Sequence, residues 1–270
     1  MEISVSDVLT FSKCPYLWWK GYVHKQVPKQ TAAMSFGTKV HATVAGVMRG
    51  LMNPLTAEIL DAEDYKTIIS DTSWNMKNCK VVAVEKPDYF TYGGHTFLYR
   101  PDAIIVDSWE NYCSYQIKTV SANKRHTLDY VKYSVHEAIY GYGIGLKYNV
   151  NYIPKVVLDR FIKSKVANKP LVWKRDVLIP PRISTYKHLN YCVFIADRME
   201  EMLSATTQGE EADEEAAKLW SNRSHCIDWI TGVRCPAFTV CYGYGGFDGN
   251  FEPASDRYAD LDRSQPPAQG

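Results

Sequence analysis

Between Glu85 and Lys118 the sequence gathers residue types suited to metal and acid–base chemistry. Arg100-Pro101-Asp102 leads into an apolar run, Ala103-Ile104-Ile105-Val106. A polar turn follows, and a second run ends Tyr115-Gln116-Ile117-Lys118-Thr119. Side chains two apart on a strand share a face, so Gln116 and Lys118 project together. Asp102, at the start of the paired strand, can meet them. A carboxylate, an amide oxygen and an amine around one point suit a hard divalent cation with a positioned water. Taken singly, each residue has a plainer use. Asp102 can cap a turn, Lys118 can guard an edge strand, Glu85 can pair with Lys80 or Lys86, His41 can be a packing or surface residue, and Tyr140 can be a core aromatic.

The cysteines form a second chemical group. Cys226, Cys235 and Cys241 lie close together, with eight and then five residues between them, and Cys14 stands far upstream. Both Cys14 and Cys235 are followed by proline. Clustered cysteines can serve as thiolate metal ligands, tetrahedral zinc among the candidates, although no close Cys-x-x-Cys pair marks a zinc ribbon. Cys79, Cys113 and Cys192 fall in strand or helix patterns and read as buried thiols. Seven cysteines, an odd count, argue against a disulfide framework.

These groups need a scaffold, and 270 residues with 46% hydrophobic composition, seven Trp and nineteen Tyr supply a core and exclude a disordered chain. No basic segment precedes an apolar leader, and no stretch of apolar residues is long enough to span a bilayer. The expectation is a soluble protein with no membrane partner, in the cytoplasm, or the host cytoplasm if viral. The formal charge of +1 conceals a gradient: net +2 over 1–154, +7 over 155–187 and −8 over 188–270. The middle segment is either a phosphate-contacting surface or a hairpin with a solvated lysine face.

Pattern changes predict a mixed α/β domain. Ser4 or Ser6 can cap a first short helix through Phe11, and Pro15 begins a second, aromatic-rich one. Ser35 and Thr38 offer caps for a helix with Val40, Val44, Val47, Met48 and Leu51 at helical spacing. Strands are expected at Lys80 to Val84, around the Gly93-Gly94 turn between Phe90 and Tyr99, at Ala103 to Val106 and at Tyr112 to Thr119. A helix from about Thr127 to Leu146 follows. Val156 to Ile162 and Leu171 to Ile179 read as a hairpin, and 187 to 220 as helical.

The ordered set Asp102, Gln116-Ile117-Lys118 resembles the PD-(D/E)XK nuclease superfamily, and within it the RecB-like branch that includes CRISPR-associated iron–sulfur exonucleases and phage nucleases. Gly37-Thr38-Lys39-Val40-His41 is similar to the branch's upstream helix, whose His is a metal ligand. Glu85 stands where the family often has an acidic residue, and His136 to Tyr140 is similar to its Gln-x-x-x-Tyr element. Two residues depart from the pattern: Gln116 replaces the usual Asp or Glu, and His136 the usual Gln.

The resemblance implies a central mixed β-sheet flanked by helices, a restriction-endonuclease-like core whose N- and C-terminal segments are joined by a metal cluster. The implied parts are cluster-contributing helices over 1–30, the nuclease core over 31–186 and a helical region with cluster cysteines over 187–245; the Gly-Gly, Asp-rich and Gln-Pro-Pro composition of 246–270 adds an expected disordered tail. Asp102, Gln116, His41 and the Ile117 carbonyl would hold Mg2+ or Mn2+, with Lys118 and Glu85 completing the catalytic set. Cys14, Cys226, Cys235 and Cys241 would hold a 4Fe-4S cluster, with zinc the competing metal. His136, Tyr140, Lys124, Arg125 and Lys132 would contact DNA, single-stranded or at ends, and recombination or CRISPR-related proteins are candidate partners. A catalytically inactive DNA-binding or complex-forming module of the same fold is the alternative.

Overall fold

The apolar runs and alternations between residues 80 and 178 build a five-stranded mixed sheet in a computed structural model of the chain. The structure describes residues 1–28, 31–50, 62–121, 135–163, 171–206, 220 and 251–253. It divides into two units: Met1–Gln30, Thr91–Phe97 and Asn190–Gly270 form the first, and Thr31–Phe90 with Leu98–Leu189 the second. The elements in chain order are β1 (Glu2–Ser4), α1 (Val5–Lys13), α2 (Pro15–Val23), β2 (Gln26–Pro28), α3 (Ala32–Met48), α4 (Ala62–Met76), β3 (Lys80–Val84), β4 (Asp88–Tyr92) and β5 (His95–Tyr99). They continue as β6 (Ala103–Val106), β7 (Tyr112–Ser121), α5 (Val135–Lys147), β8 (Lys155–Lys163), β9 (Val172–Leu178), α6 (Arg182–Ala205) and β10 (Phe251–Pro253).

The second unit holds the sheet β3-β6-β7-β8-β9. Its β7/β8 pair is parallel and the other pairs are antiparallel. A parallel pair needs a crossover, and α5 occupies the sequence between β7 and β8. Ala103, Ile105, Cys113, Tyr115, Ile117 and Phe161 join Val40 and Val44 of α3 and Ile68 of α4 in one buried cluster. Odd-numbered residues of β7 therefore face α3 and α4. Gln116 and Lys118 face the other way, and α5, which contributes nothing to that cluster, packs on β7 and β8. Gly143 on α5 is required by close approach: a Cβ there would lie 2.7 Å from the ring of buried Tyr99.

On the α3 side, a charged group is buried with its partners. Asp159 is fully inaccessible. It accepts from Arg175 Nε at 2.7 Å, Arg175 Nη2 at 2.8 Å and the Tyr115 hydroxyl at 2.5 Å. Burial, and then the charge of Asp159, push the Tyr115 phenol up and keep it a donor. The network crosses β7, β8 and β9 directly behind Gln116 and Lys118.

In the first unit, Ser4 and Asp7 form a reciprocal capping box: Asp7 N–H donates to Ser4 Oγ at 3.1 Å and Ser4 N–H to Asp7 Oδ2 at 2.9 Å. Cys14 is the joint, ending α1 and opening α2, with Pro15 at the first helical position. Trp18 stacks on Tyr22 at 5.0 Å and meets Phe11 edge-on at 5.2 Å. The strand order β1-β5-β4 is closed at one end by the Gly93-Gly94 turn, with φ of +58° and +85°, the left-handed pair that a tight hairpin favours.

Several elements depart from the sequence expectation. Helix α3 starts at Ala32, because Thr31 Oγ1 accepts from Met34 N–H at 3.3 Å, and Thr38 instead donates back to the Met34 carbonyl at 3.1 Å inside the helix. Strands β1 and β2 and helix α4 were not foreseen. Phe251–Pro253, inside the stretch expected as a disordered tail, forms β10 and pairs antiparallel with β2. Among the described residues no helix is long and apolar enough to cross a membrane.

Candidate active site

Asp102 enters the site from the residue before β6. In the antiparallel register Ala103 faces Tyr115, which carries Asp102 to the level of Gln116 and Ile117. Its Oδ2 accepts from the Ile117 N–H at 2.6 Å, and its Oδ1 lies 3.1 Å from His41 Nδ1 on α3. Burial alone would raise this carboxyl. The His41 ring, the Lys118 ammonium and the Ile117 N–H outweigh that effect and hold Asp102 below the usual carboxylate range. It is an anion at neutral pH. Its backbone carbonyl also accepts from Glu85 N–H at 3.0 Å.

Gln116 is buried, at 2% exposure, and its Nε2 donates to Ser114 Oγ at 3.2 Å. The donor end of the amide is thereby fixed, and its oxygen is the end suited to a cation. Lys118, one step further along the same face, is half-buried, and its charge acts on Asp102, His136 and Glu137. On β8 its register partner is Arg160, which is paired with Asp176 at 2.5 Å.

Helix α5 closes this face. His136 lies edge-on to Tyr140 at 5.2 Å. Burial, reinforced by the Lys118 charge, pushes His136 down to about 4, so its ring is neutral at neutral pH. Burial also pushes the Tyr140 phenol up, with Asp102 and Glu137 adding to the effect. Glu137 is 1% exposed, and burial drives its carboxyl up to about 8, with the Asp102 charge raising it and the Lys118 charge lowering it.

The structure thus brings together His41, Asp102, Gln116, Ile117, Lys118, His136 and Tyr140. Glu85 stands apart from them in its side chain. Its Oε2 accepts from Arg49 Nη2 at 3.1 Å, and Arg49 also donates to the Val84 carbonyl at 3.3 Å. What ties Glu85 to Asp102 is backbone, and Glu85 holds a left-handed φ of +48°, a conformation that costs a non-glycine residue of order 1–3 kcal/mol. Lys124, Arg125 and Lys132 lie outside the described residues, as do Cys226, Cys235 and Cys241. No group of three or more His, Cys, Asp and Glu side chains stands ready to hold a metal ion among the described residues.

The basic 155–187 segment contains the expected hairpin, β8 and β9, and ion pairs take up part of its charge. Lys155 pairs with Asp107 at 2.5 Å, Arg160 with Asp176, Arg175 with Asp159, and Lys163 with Asp64. Four of the segment's nine basic residues are therefore paired with aspartates, but Asp159 and Asp176 belong to the segment and are already counted in its +7. Asp107 and Asp64 lie outside it, and their pairs reduce what the segment offers to a polyanion.

Comparison with known proteins agrees with this architecture. A family model described as the PD-(D/E)XK nuclease superfamily matches residues 2–94, a span that includes His41 and Glu85 and ends before Asp102. A crystal structure of a "putative exonuclease" from Eubacterium rectale aligns over 74% of this chain and 80% of its own, with a TM-score of 0.51 at 12% identity. The two chains share a fold. The structure of a protein named SSO0001 aligns over 74% of this chain and 76% of its own, with a TM-score of 0.37 at 15% identity. A search of curated proteins gives no match. The fold is thus α/β, a mixed sheet flanked by helices.

Sequence reading passed over two residues. Arg49 is an ordinary helix-end cation until α3 and β3 bring it to Glu85. Glu137 was hidden between His136 and Tyr140, where an acidic residue on a helix normally reads as solvent-facing. The apolar run Ala138-Ile139-Tyr140 beside it was the available signal that this stretch of helix is buried all round.

Proposed function

We propose that this protein is a metal-dependent nuclease, with exonuclease action on DNA, single-stranded or at ends, the favoured form. The observation that carries the reading is the Asp102 carboxylate, held between His41 Nδ1 and the Ile117 N–H with the Lys118 charge acting on it. Oxygen donors from Asp102, the Gln116 amide and the Ile117 carbonyl, with an imidazole from His41, are a donor set that Mg2+ or Mn2+ accepts. If His41 Nδ1 donates its proton to Asp102, the ring's other nitrogen keeps its lone pair for a ligand. A bound cation supplies a water of lowered pKa and neutralises charge on the phosphate. Lys118 orients the attacking water and takes part in moving its proton, Asp102 fixes the site's negative charge, and neutral His136 and Tyr140 line the face where the strand lies. Glu85 joins the catalytic set by way of the backbone that it shares with Asp102. Lys124, Arg125 and Lys132 are proposed phosphate contacts.

The test is digestion of end-labelled DNA with Mg2+ or Mn2+. Metal-dependent cleavage is expected, falling by at least about 100-fold in Lys118→Ala, the lower end of what one positioned acid–base group contributes. Equal cleavage by Lys118→Ala would remove that residue from the mechanism. A second reading, a catalytically inactive DNA-binding module, draws on Gln116, which brings no charge to the centre. It is favoured if the unmodified chain retains DNA without metal-dependent cleavage.

The proposed 4Fe-4S cluster uses Cys14 with Cys226, Cys235 and Cys241. Its support in the described residues is one position: Cys14 is 3% exposed at the α1–α2 joint, followed by proline. Such a cluster would close a loop of more than 200 residues and so remove much chain entropy. Chain purified without oxygen is expected to be brown and to contain iron and labile sulfide; zinc without iron would replace the cluster with a zinc site.

A further inference from the structure

Asp102 is fixed by the Ile117 N–H and by His41, and the chain just before it is fixed with it. Arg100 stands two residues upstream, so two Cα steps keep its Cα within about 7.6 Å of that of Asp102. Pro101 between them is buried and confines Arg100 to extended backbone. The preceding residue, Tyr99, lies with its ring 6.3 Å from that of Tyr140 on α5. Burial raises the Tyr140 phenol, and the Arg100 charge together with a hydrogen bond from the Arg100 backbone opposes that rise. Arg100 therefore stands where the Asp102 end of β6 meets the Tyr140 face of α5.

Arg100 is exposed. Arg49, Arg160, Arg175 and Arg198 are each paired with an acidic side chain, whereas Arg100 forms no ion pair among the described residues. An exposed arginine is usually a solvated surface residue, and what sets this one apart is its place in the chain beside Asp102. Its link to Tyr140 includes the backbone, so the guanidinium is left to water or to a ligand. That group is a rigid planar fork, always charged, that matches phosphate oxygens two at a time.

Resting on the nuclease reading above, we infer that Arg100 is a phosphate-binding residue of the site, its guanidinium taking the non-bridging oxygens of a single-stranded substrate's phosphate next to Asp102. The contact touches backbone and not bases, so it serves every sequence alike. With Lys118 it gives the centre two cations that face a polyanion.

The experiment is fluorescence anisotropy of labelled single-stranded DNA on the full chain, with EDTA present and over a series of salt concentrations. The parent is compared with Arg100→Gln, Arg100→Lys and a control, Lys80→Gln, an exposed cation at the far end of β3. Arg100→Gln is expected to weaken binding by about 10–100-fold, as for a lost hydrogen bond to a charged group. The slope of log affinity against log salt should become shallower by about 0.7, one phosphate contact on a single strand, and the loss should be equal on two unrelated sequences. Arg100→Lys is expected to keep the parent slope and lose less affinity, and Lys80→Gln to bind as the parent does. An unchanged Arg100→Gln, a loss that depends on sequence, or an equal loss in Lys80→Gln overturns the inference. A parent that cleaves with Mn2+ yet binds no DNA in EDTA overturns it alone, and the nuclease reading stands; a parent that neither binds nor cleaves removes both. Should Arg100→Gln fail to fold, Arg100→Lys decides: affinity equal to the parent's would leave the fork without a partner and overturn the inference.

Discussion

Arg175→Met tests what holds β7 in register. Asp159 is the parallel register partner of Ile117 on β7 and the antiparallel partner of Arg175 on β9, so its carboxylate is a pin through three strands behind Gln116 and Lys118. Removing the guanidinium deletes two charge-assisted hydrogen bonds, at 2.7 and 2.8 Å. It leaves a fully inaccessible carboxylate with the Tyr115 hydroxyl of that trio. Breaking one side of a buried ion pair costs about 3–5 kcal/mol, because the remaining charge keeps its desolvation penalty. Domains of ordinary stability have about 5–15 kcal/mol to lose, so the urea midpoint should fall by about 1–2 M. Neutralising both partners, Asp159→Asn with Arg175→Met, should recover most of that loss, since no charge is then stranded. The assay is urea unfolding followed by far-UV circular dichroism. A shift in Arg175→Met worth less than about 1 kcal/mol, or a double variant as unstable as the single one, refutes the argument.

Three further outcomes are expected. Asp102 is held below its ordinary range, so its contribution to stability is present above about pH 4 and lost as pH falls through its lower folded value; Asp102→Asn should flatten the acid limb of the unfolding profile. Glu137 is pushed up to about 8, so its contribution runs the other way, complete below about pH 4 and lost as pH rises toward 8. Glu137→Gln is therefore expected to lack the decline in stability that the parent shows between about pH 4 and pH 8, read by urea unfolding at each pH; an equal decline in the variant would assign it to other groups. Gly143→Ala would put a methyl 2.7 Å from the Tyr99 ring, which is 1% exposed, and should cost about 1–3 kcal/mol by thermal or urea unfolding.

The sheet and most of its helices were legible because their signals are local. The unbroken apolar run Ala103–Val106, the alternation over Tyr112–Ser121, the Gly93-Gly94 turn and the Ser4 cap each depend on neighbours within a few residues. Helix α4 has no such clarity: its apolar positions are sparse, and what fixes it is Ile68 packing into the cluster with α3 and β7. Capping failed at α3 for a related reason. Thr31, Ser35 and Thr38 are equally good caps by type, and only the Met34 N–H, reaching Thr31 Oγ1, selects among them. Charge counting carries less. The +7 of residues 155–187 already includes Asp159 and Asp176, but the pairing of Lys155 with Asp107 and of Lys163 with Asp64 depends on tertiary contacts that composition cannot carry.

The same distinction separates Gln116 from Glu137. Gln116 could be singled out from sequence because it sits two residues from Lys118, a spacing that strand geometry converts directly into a shared face. Glu137 is 19 residues from Lys118 in sequence, and nothing in the chain between them specifies which side of α5 meets β7. Reading Gln116 alone makes the centre look weakened, since it removes a charge and adds none. Burial of Glu137, at 1% exposure, follows from the packing of α5 on β7 and β8 and not from its own neighbours in sequence.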